Sequence, residues 1–253
     1  LFALAILPVS ITRLSPPPVA TAPRAHILQI CRTAPSAAAG ALLAGMALGA
    51  FWGMGAVYAG SLGLDRAGIG TFMAVTILGG AALQLPIGRL SDRGDRRSML
   101  AGVSALGAVV AACALQLDPG ARGGVLAVFF LFGGLAFALY PLAVAHLLDR
   151  LPAEQLLAGC SALLLLNGFG AAIGPAAAGW VMERWGAAAL PVFFAVTLAL
   201  LALVAGGRRL LKARHLLHPA RFHPMVRTTP VALELLPEIP DRPSRPVHDP
   251  RSN

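Results

Sequence analysis

Residues 88–97 read Gly88-Arg89-Leu90-Ser91-Asp92-Arg93-Gly94-Asp95-Arg96-Arg97, a short segment dense in charge. It lies between two uncharged runs, 67–87 and 98–117, and each run has about the 20 residues that a helix needs to cross the hydrocarbon core of a bilayer. The segment therefore predicts a tight turn at a membrane surface. Gly88 allows a helix end to approach its neighbour, and Asp92 can pair with the arginines or with the unpaired backbone groups of helix ends.

The composition of the whole chain is that of a membrane protein. Of its 253 residues, 57% are apolar and only 12% are charged, with a mean hydropathy of +0.74, whereas a soluble domain carries roughly twice that charge. The predicted fold is all-α, a polytopic membrane bundle of six transmembrane helices. Six stretches lack Asp, Glu, Lys and Arg and can each hold one span: residues 33–64, 67–88, 98–117, 123–148, 155–182 and 185–207.

Basic residues are distributed unevenly between the two ends of these stretches. Three lie at one end, Arg66, Arg122 and Arg184, and the other 17 of the 20 lie in segments 12–34, 89–97, 149–154 and 208–253. Because Lys and Arg near helix ends are retained in the cytoplasm, we expect the larger group and both chain ends to be cytoplasmic. The predicted partner is the lipid bilayer, and we expect a bacterial inner membrane. Orientation of the chain in this bilayer then explains the net charge of +9, so no nucleic-acid partner is predicted.

The chain ends differ from the bundle at 35–207. Residues 1–11 are apolar but too short to span, and they lack the basic start and cleavage site of a signal peptide, so we interpret them as the end of a truncated helix. Residues 12–34 contain three consecutive prolines and are predicted to be a cytoplasmic linker. Residues 208–253 are basic and rich in proline, and we expect a disordered cytoplasmic tail in which 208–217 can extend the last helix.

The charged segment closely resembles the signature loop of the major facilitator superfamily of secondary transporters, which follows the second helix of each six-helix half. The resemblance implies that the six spans are the C-terminal half of a twelve-helix fold, with a missing N-terminal six-helix half as partner. It also implies a gating role for Gly88, Arg89, Asp92, Arg93, Arg96 and Arg97. The alternative is a solvated turn that only orients the chain.

A second stretch, residues 170–179, resembles the Gly-Pro helix motif that drug antiporters of the same superfamily carry in the equivalent helix of the first half. A kinked and tightly packed helix without a coupling role is the alternative interpretation. Residues 51–53, 84–88 and 140–146 are similar to the YcaD-like group of bacterial permeases. The residues assigned to the kink and the packing are Gly170, Gly174, Pro175 and Gly179.

Polar and aromatic side chains inside spans are the candidates for contact with a substrate, since polar groups in hydrocarbon usually face an aqueous cavity. Gln84 can instead form hydrogen bonds between neighbouring helices, and the same alternative holds for Asn167. Trp52 can stack on a substrate or fill the core. Tyr140 precedes a proline that predicts a break in its span, and Tyr58 is interpreted as an interfacial belt residue.

His146 and Asp149 lie three residues apart at a cytoplasmic helix end and share a face if the helix continues. Histidine titrates near neutral pH, so a proton-coupling role is chemically possible, and a capping pair is the alternative. No Asp or Glu lies in the middle of any span. If transport is proton-driven, we therefore expect the titrating acid in the missing half.

The sequence contains no signature of an enzyme. It has neither a His-Glu-x-x-His pair nor a Gly-x-Ser-x-Gly elbow, and its three cysteines are widely spaced, so no metal site and no cofactor are predicted. We expect a secondary active transporter that moves a small-molecule substrate by alternating access. The alternative is a non-transporting membrane sensor or assembly subunit that retains the fold.

Overall fold

The computed structural model describes residues 27–118 and 120–215, which form seven α-helices and no strand. Short 3₁₀ turns follow the fourth helix, at Ala114–Gln116, and precede the sixth, at Ala153–Gln155. The α-helices in chain order are α1 Ile27–Thr33, α2 Pro35–Ser61, α3 Arg66–Asp92, α4 Arg96–Cys113, α5 Arg122–Leu148, α6 Leu156–Trp185 and α7 Ala189–His215.

Six of these helices, α2 to α7, are long and apolar enough to cross a membrane. Each coincides with one of the six uncharged stretches, so the predicted class, an all-α polytopic bundle with six spans, is confirmed. Helix α7 continues past residue 207 to His215, into the segment that the sequence assigns to the tail. The predictions for residues 1–26 and 216–253 lie outside the described residues.

The last part of the predicted linker is the helix α1. Its Ile30 is 4% exposed and packs in a small cluster with Ala34, Leu147 and Leu163, which belong to the start of α2, the end of α5 and α6. Apolar burial therefore anchors this end of the linker to the bundle.

Helices α2 and α6 run parallel and make the most extensive contact between described helices. A Cβ atom added to Gly45 would collide with the backbone oxygen of Asn167, and one added to Gly49 would collide with that of Ala171. The contact is reciprocal, because a Cβ at Gly170 or Gly174 would strike the backbone of α2. In lipid, such backbone-to-backbone packing replaces the hydrophobic force that joins helices in water.

Helices α3 and α5 form a second parallel crossing of the same kind. A Cβ on Gly79 would collide with the oxygen of Phe130, and one on Gly133 would collide with that of Thr76. Helices α2 and α5 also contact each other, so the two glycine crossings form one row of helices.

An aromatic cluster joins the helices in the half of the bundle that lies opposite the signature turn. The rings of Phe72 and Phe129 lie 4.5 Å apart, and those of Phe132 and Phe194 lie at the same distance, which joins α3, α5 and α7. Tyr58 belongs to this cluster, with its ring 5.5 Å from Phe129 and only 4% of the residue exposed. The interpretation of Tyr58 as an interfacial belt residue is therefore wrong, because its ring packs inward against aromatic neighbours.

Three spans with an internal proline are unbroken. Helix α3 continues through Pro86, α5 through Pro141 and α6 through Pro175. The predicted break after Tyr140 is wrong. A proline removes one backbone donor, and helices packed on either side can hold the remaining turns in place.

Candidate functional site

The signature turn is shorter than the sequence suggests, because α3 continues to Asp92 and α4 begins at Arg96. Residues 88–92 are therefore the last part of α3, and only Arg93, Gly94 and Asp95 connect the two helices. Because they lie four residues apart in a helix, Gly88 and Asp92 share one face of α3.

Asp95 caps the start of α4. Its Oδ2 accepts hydrogen bonds from the Ser98 hydroxyl at 2.5 Å and from the Ser98 backbone N–H at 3.1 Å, and its Oδ1 accepts one from the Arg97 N–H. The Ser98 hydroxyl and these N–H groups lower the pKa of Asp95 below its usual range. This role was not predicted from the sequence, although an Asp shortly before an apolar run is a recognisable N-cap signal.

Arg96 joins three helix ends. Its guanidinium lies 3.5 Å from Asp92 at the end of α3 and 3.2 Å from Asp149 at the end of α5, and it donates a 2.8 Å hydrogen bond to the Ala145 carbonyl oxygen. The side chain of Arg96 is 26% exposed, and those of Asp92 and Asp149 are 71% and 51% exposed. The end of α3, the start of α4 and the end of α5 are thus held as one unit.

The other arginines of the turn differ in their surroundings. Arg97 is half-buried, and its Nε donates a 2.8 Å hydrogen bond to the Ala205 carbonyl oxygen of α7. Arg89 and Arg93 are exposed. The turn therefore contacts α7 as well as α5, and two of its four arginines make these contacts.

A small cavity of about 140 Å³ lies beside the turn, between α3 and α5. No atom lies within 4 Å of the place where a Cβ of Gly88 would stand, so the close helix approach predicted at Gly88 is not made by the described residues. The Ser91 hydroxyl is buried and makes no hydrogen bond with the described part of the chain. The polar and backbone-altering residues that line the cavity are Gln84, Gly88, Ser91, Asp92 and Pro141.

The two members of the predicted proton-coupling pair have different surroundings. His146 is 3% exposed, and its Nε2 makes no hydrogen bond with a described residue, whereas Asp149 is exposed and paired with Arg96. The described residues contain no ion pair between His146 and Asp149. Asp149 is instead the residue that follows the last turn of α5.

The remaining candidates lie apart from the turn. Asn167 donates a 3.0 Å hydrogen bond from Nδ2 to the Ala41 carbonyl oxygen, so its amide links α6 to α2. Trp52 is 53% exposed and does not fill the core, and its ring lies edge-on to Phe137 at 6.3 Å. Tyr140 is half-buried on α5.

The Gly-Pro stretch of α6 faces α2. Gly170 and Gly174 make the close backbone contacts described above, and a Cβ on Gly53 would stand 2.7 Å from Cβ of Pro175. A Cβ on Gly179 would lie 3.1 Å from the methyl group of Met54. This stretch therefore packs one helix against another along its length.

Six spans with a charged turn after the second are the architecture that the sequence resemblance implies. Comparison with known protein families agrees, because residues 37–235 match the sequence model of the Major Facilitator Superfamily. The chain belongs to this superfamily.

Relatives of this facilitator chain are bacterial proteins. It is 32% identical over 146 residues to an uncharacterised MFS-type transporter of Enterobacter sp. strain 638, and 31% identical over 149 residues to the MFS-type transporter YcaD of Salmonella arizonae. YcaD of Escherichia fergusonii is 30% identical over 149 residues. Each alignment covers 58% of this chain and 37% of the relative, so the chain spans well under half the length of these relatives. No solved structure matches it.

The facilitator fold with six apolar spans identifies a multi-pass membrane protein of a transporter family. Among the described residues, no group of three or more His, Cys, Asp or Glu could hold a metal ion. The site that the described residues offer is a charged turn that ties helix ends together beside a small cavity.

Proposed function

We propose that this chain forms the C-terminal six-helix half of a secondary active transporter that moves a small solute across the bacterial inner membrane by alternating access. The observation that carries the proposal is the Arg96 network, which couples the ends of α3, α4 and α5 next to an open cavity. Family membership and the names of the relatives support transport as the activity. Nothing favours the alternative of a membrane sensor or assembly subunit.

The ion pairs of the Arg96 network are weak enough to form and break reversibly, as a gate requires. Ion pairs between partly exposed side chains contribute about 0–1 kcal/mol each, so they can order a surface without locking it. Most of the Asp92 carboxylate is exposed and faces the side of α3 on which Gly88 leaves space. We propose that the other half docks on this face when the cytoplasmic end closes, and that Asp92 and Gly88 are its contacts.

The exposure of the spans supports a second bundle as partner. In an apolar 18-residue stretch of each span, only 22% of the residues of α3 and 28% of those of α6 are buried, whereas 56% are buried in α2 and in α5. Helices at the two ends of the row therefore present the most surface for lipid and for the missing half. Their exposed large apolar residues include Leu78 and Leu85 on α3 and Leu165, Phe169 and Trp180 on α6.

Substrate contact is assigned to the candidates whose side chains remain accessible. Trp52 offers an exposed indole, and Gln84 lines the small cavity beside the turn. Asn167 already donates to α2, which favours a role in holding α6 in place. Tyr140, half-buried on α5, completes this group as a proposal.

Proton coupling, if this bundle contributes to it, is assigned to His146. The charged groups that act on its imidazole are Asp95 and Arg97 from the signature turn and Asp149 and Arg150 from the end of α5. Protonation of His146 would add a positive charge beside the residues that hold α7 and α5 to the turn.

The proposal is tested by flux measurements on cells that express the intact protein, with radiolabelled amino acids, sugars and organic anions as probes. We expect at least one solute whose flux depends on the protein, and we expect Asp92→Asn to abolish that flux while the protein remains in the membrane. Asp118→Asn, at the opposite end of the bundle, is the matched control and should keep wild-type flux. Full flux in Asp92→Asn would overturn the gating role, and no protein-dependent flux across the panel would count against transport itself.

A further inference from the structure

A cavity at the end of the bundle opposite the signature turn has a dipolar lining. It encloses about 290 Å³ and lies where α3 and α5 begin, and the 27 residues of α3 separate it from Asp92 by roughly 40 Å. Its walls are mainly aliphatic, with one acid and one base. The lining consists of Leu62, Leu64, Asp65, Ala67, Gly68, Thr71, Arg122, Val125 and Leu126.

The two charges face the same cavity without pairing with each other. Asp65 and Arg122 are both exposed, and the described residues contain no ion pair between them. Asp65 Oδ1 accepts a 3.0 Å hydrogen bond from the Gly68 N–H as the cap of α3, and its other carboxylate oxygen makes no hydrogen bond with a described residue. A negative and a positive group therefore line the same cavity without forming an ion pair.

The backbone strengthens this polarity at the basic side. Helix α5 begins at Arg122 without a side-chain cap, so the positive end of its dipole adds to the guanidinium. On the acidic side, the Asp65 carboxylate already caps the start of α3 with one oxygen, and its negative charge offsets the positive end of that helix dipole. The α5 side thus attracts an anion, and the Asp65 side attracts a cation.

We infer that this cavity binds a zwitterion that carries a primary ammonium, an acidic group and a short aliphatic portion. The acidic group would lie at Arg122, the ammonium at Asp65, and the aliphatic portion on Leu62, Leu64, Val125 and Leu126. A free amino acid such as leucine and the headgroup of phosphatidylethanolamine share this chemistry. The inference goes beyond the proposed function, because it concerns binding at the other end of the bundle and holds whatever the protein transports.

Binding to the purified intact protein tests the inference without any transport measurement. The soluble arm compares leucine with isovalerate, which has only the anion, and with isoamylamine, which has only the cation. The lipid arm measures, by native mass spectrometry, how much phosphatidylethanolamine is retained from nanodiscs that contain equal amounts of phosphatidylethanolamine and phosphatidylglycerol. We expect one arm to show binding that requires both charges, and that arm identifies the source.

Four variants separate the cavity from the rest of the surface. Asp65→Asn keeps an N-cap for α3 and removes only the charge, and Arg122→Gln removes the base. Each should weaken binding about tenfold, since a hydrogen bond to a charged group is lost. Glu183→Gln and Arg184→Gln, an exposed acid and base at the end of α6, are the controls and should bind as the wild type does.

Two results would overturn the inference. One is equal binding of leucine and its singly charged analogues together with no preference for phosphatidylethanolamine. The other is zwitterion binding that Asp65→Asn and Arg122→Gln leave unchanged. Loss of flux in the transport assay changes neither the measurement of soluble-ligand binding nor that of lipid retention. The proposed function and this inference can therefore be refuted separately.

Discussion

Arg96 shows how a single residue organises the signature turn. Its guanidinium contacts carboxylates at the ends of two other helices and the backbone of α5, and Arg93, three residues earlier, is exposed. The charge of both residues is the same, so position alone distinguishes them. In this turn, a basic residue links the helix ends when it lies at the start of α4 and its side chain can reach α5.

Arg96→Gln should destabilise the bundle, whereas Arg93→Gln should not. Loss of two ion pairs and one carbonyl hydrogen bond is expected to lower the free energy of unfolding by roughly 1–2 kcal/mol. Unfolding in mixed detergent micelles measures both variants against the wild type. Equal stability of Arg96→Gln and Arg93→Gln would show that the network does not hold the helix ends together.

Asp95 makes the stability of α4 dependent on pH. Its pKa is lower in the folded protein than in the unfolded chain, so the carboxylate stabilises fully above the unfolded pKa of about 4 and loses this effect as the pH falls through the folded value. Asp95→Ala should lower stability at neutral pH by about 1 kcal/mol, the usual worth of an N-cap. Thermal unfolding from pH 7 to pH 3 should show the gap between the wild type and Asp95→Ala narrowing below about pH 4.

Asp95→Asn is the control for that titration, because asparagine caps a helix without ionising. The difference in stability between Asp95→Asn and Asp95→Ala should therefore stay constant over the same pH range. A gap between the wild type and Asp95→Ala that is unchanged at pH 3 would exclude the carboxylate charge as its source.

At the scale of helices, two parallel glycine crossings carry the packing. The crossing of α2 with α6 and that of α3 with α5 bring backbones into direct contact. The first uses glycines four residues apart, and the second uses adjacent glycines. Asn167 adds a hydrogen bond across the first crossing. Substitution of these glycines is therefore a test of helix association in the bundle.

Gly170→Ala and Gly168→Ala form a matched pair on one helix. A methyl group at Gly170 would collide with the Leu42 carbonyl oxygen, so we expect a loss of about 1–3 kcal/mol of stability. At Gly168 there is no atom within 4 Å, and alanine should be neutral or stabilise the helix by up to about 1 kcal/mol. Thermal unfolding of both variants in detergent decides the matter, and the prediction is wrong if Gly170→Ala is as stable as Gly168→Ala.

At the scale of the whole molecule, the bundle has two chemically different ends. One end carries the Arg96 network and the small cavity beside Gly88, and the other carries the dipolar cavity between Asp65 and Arg122. The distribution of basic residues predicts that the first end is cytoplasmic. This orientation decides from which side each cavity is reached.

Cysteine labelling tests the orientation. In the intact protein with Cys31, Cys113 and Cys160 replaced by alanine, Asp118→Cys should react with a membrane-impermeant maleimide added to whole cells. Arg93→Cys should react only after the membrane is opened. Both positions are exposed, so burial does not bias the comparison. The reverse labelling pattern would invert the proposed topology.

The six spans and the fold class follow from the sequence alone, because hydropathy summed over about 20 consecutive residues is a local property. The family resemblance is local too, since it rests on the signature segment and on the Gly-Pro stretch. The face that each helix turns toward its neighbours is not a local property of the sequence. Spans that are apolar on every side give no periodic signal for which face meets which helix. The prediction that Tyr58 lies at the interface was wrong for this reason. The predicted break after Tyr140 was wrong because Pro141 did not interrupt α5.

Only the tertiary structure decided which distant residues meet. Arg96 and Asp149 are brought together because α5 returns to the end where α4 begins, and Asp65 and Arg122 share a cavity because α3 and α5 run parallel. Nothing in the spacing of these residues along the chain encodes such contacts. The sequence determined that this is a six-span facilitator bundle. Helix packing determined where its charges meet, since backbone contact at glycines sets the register between helices.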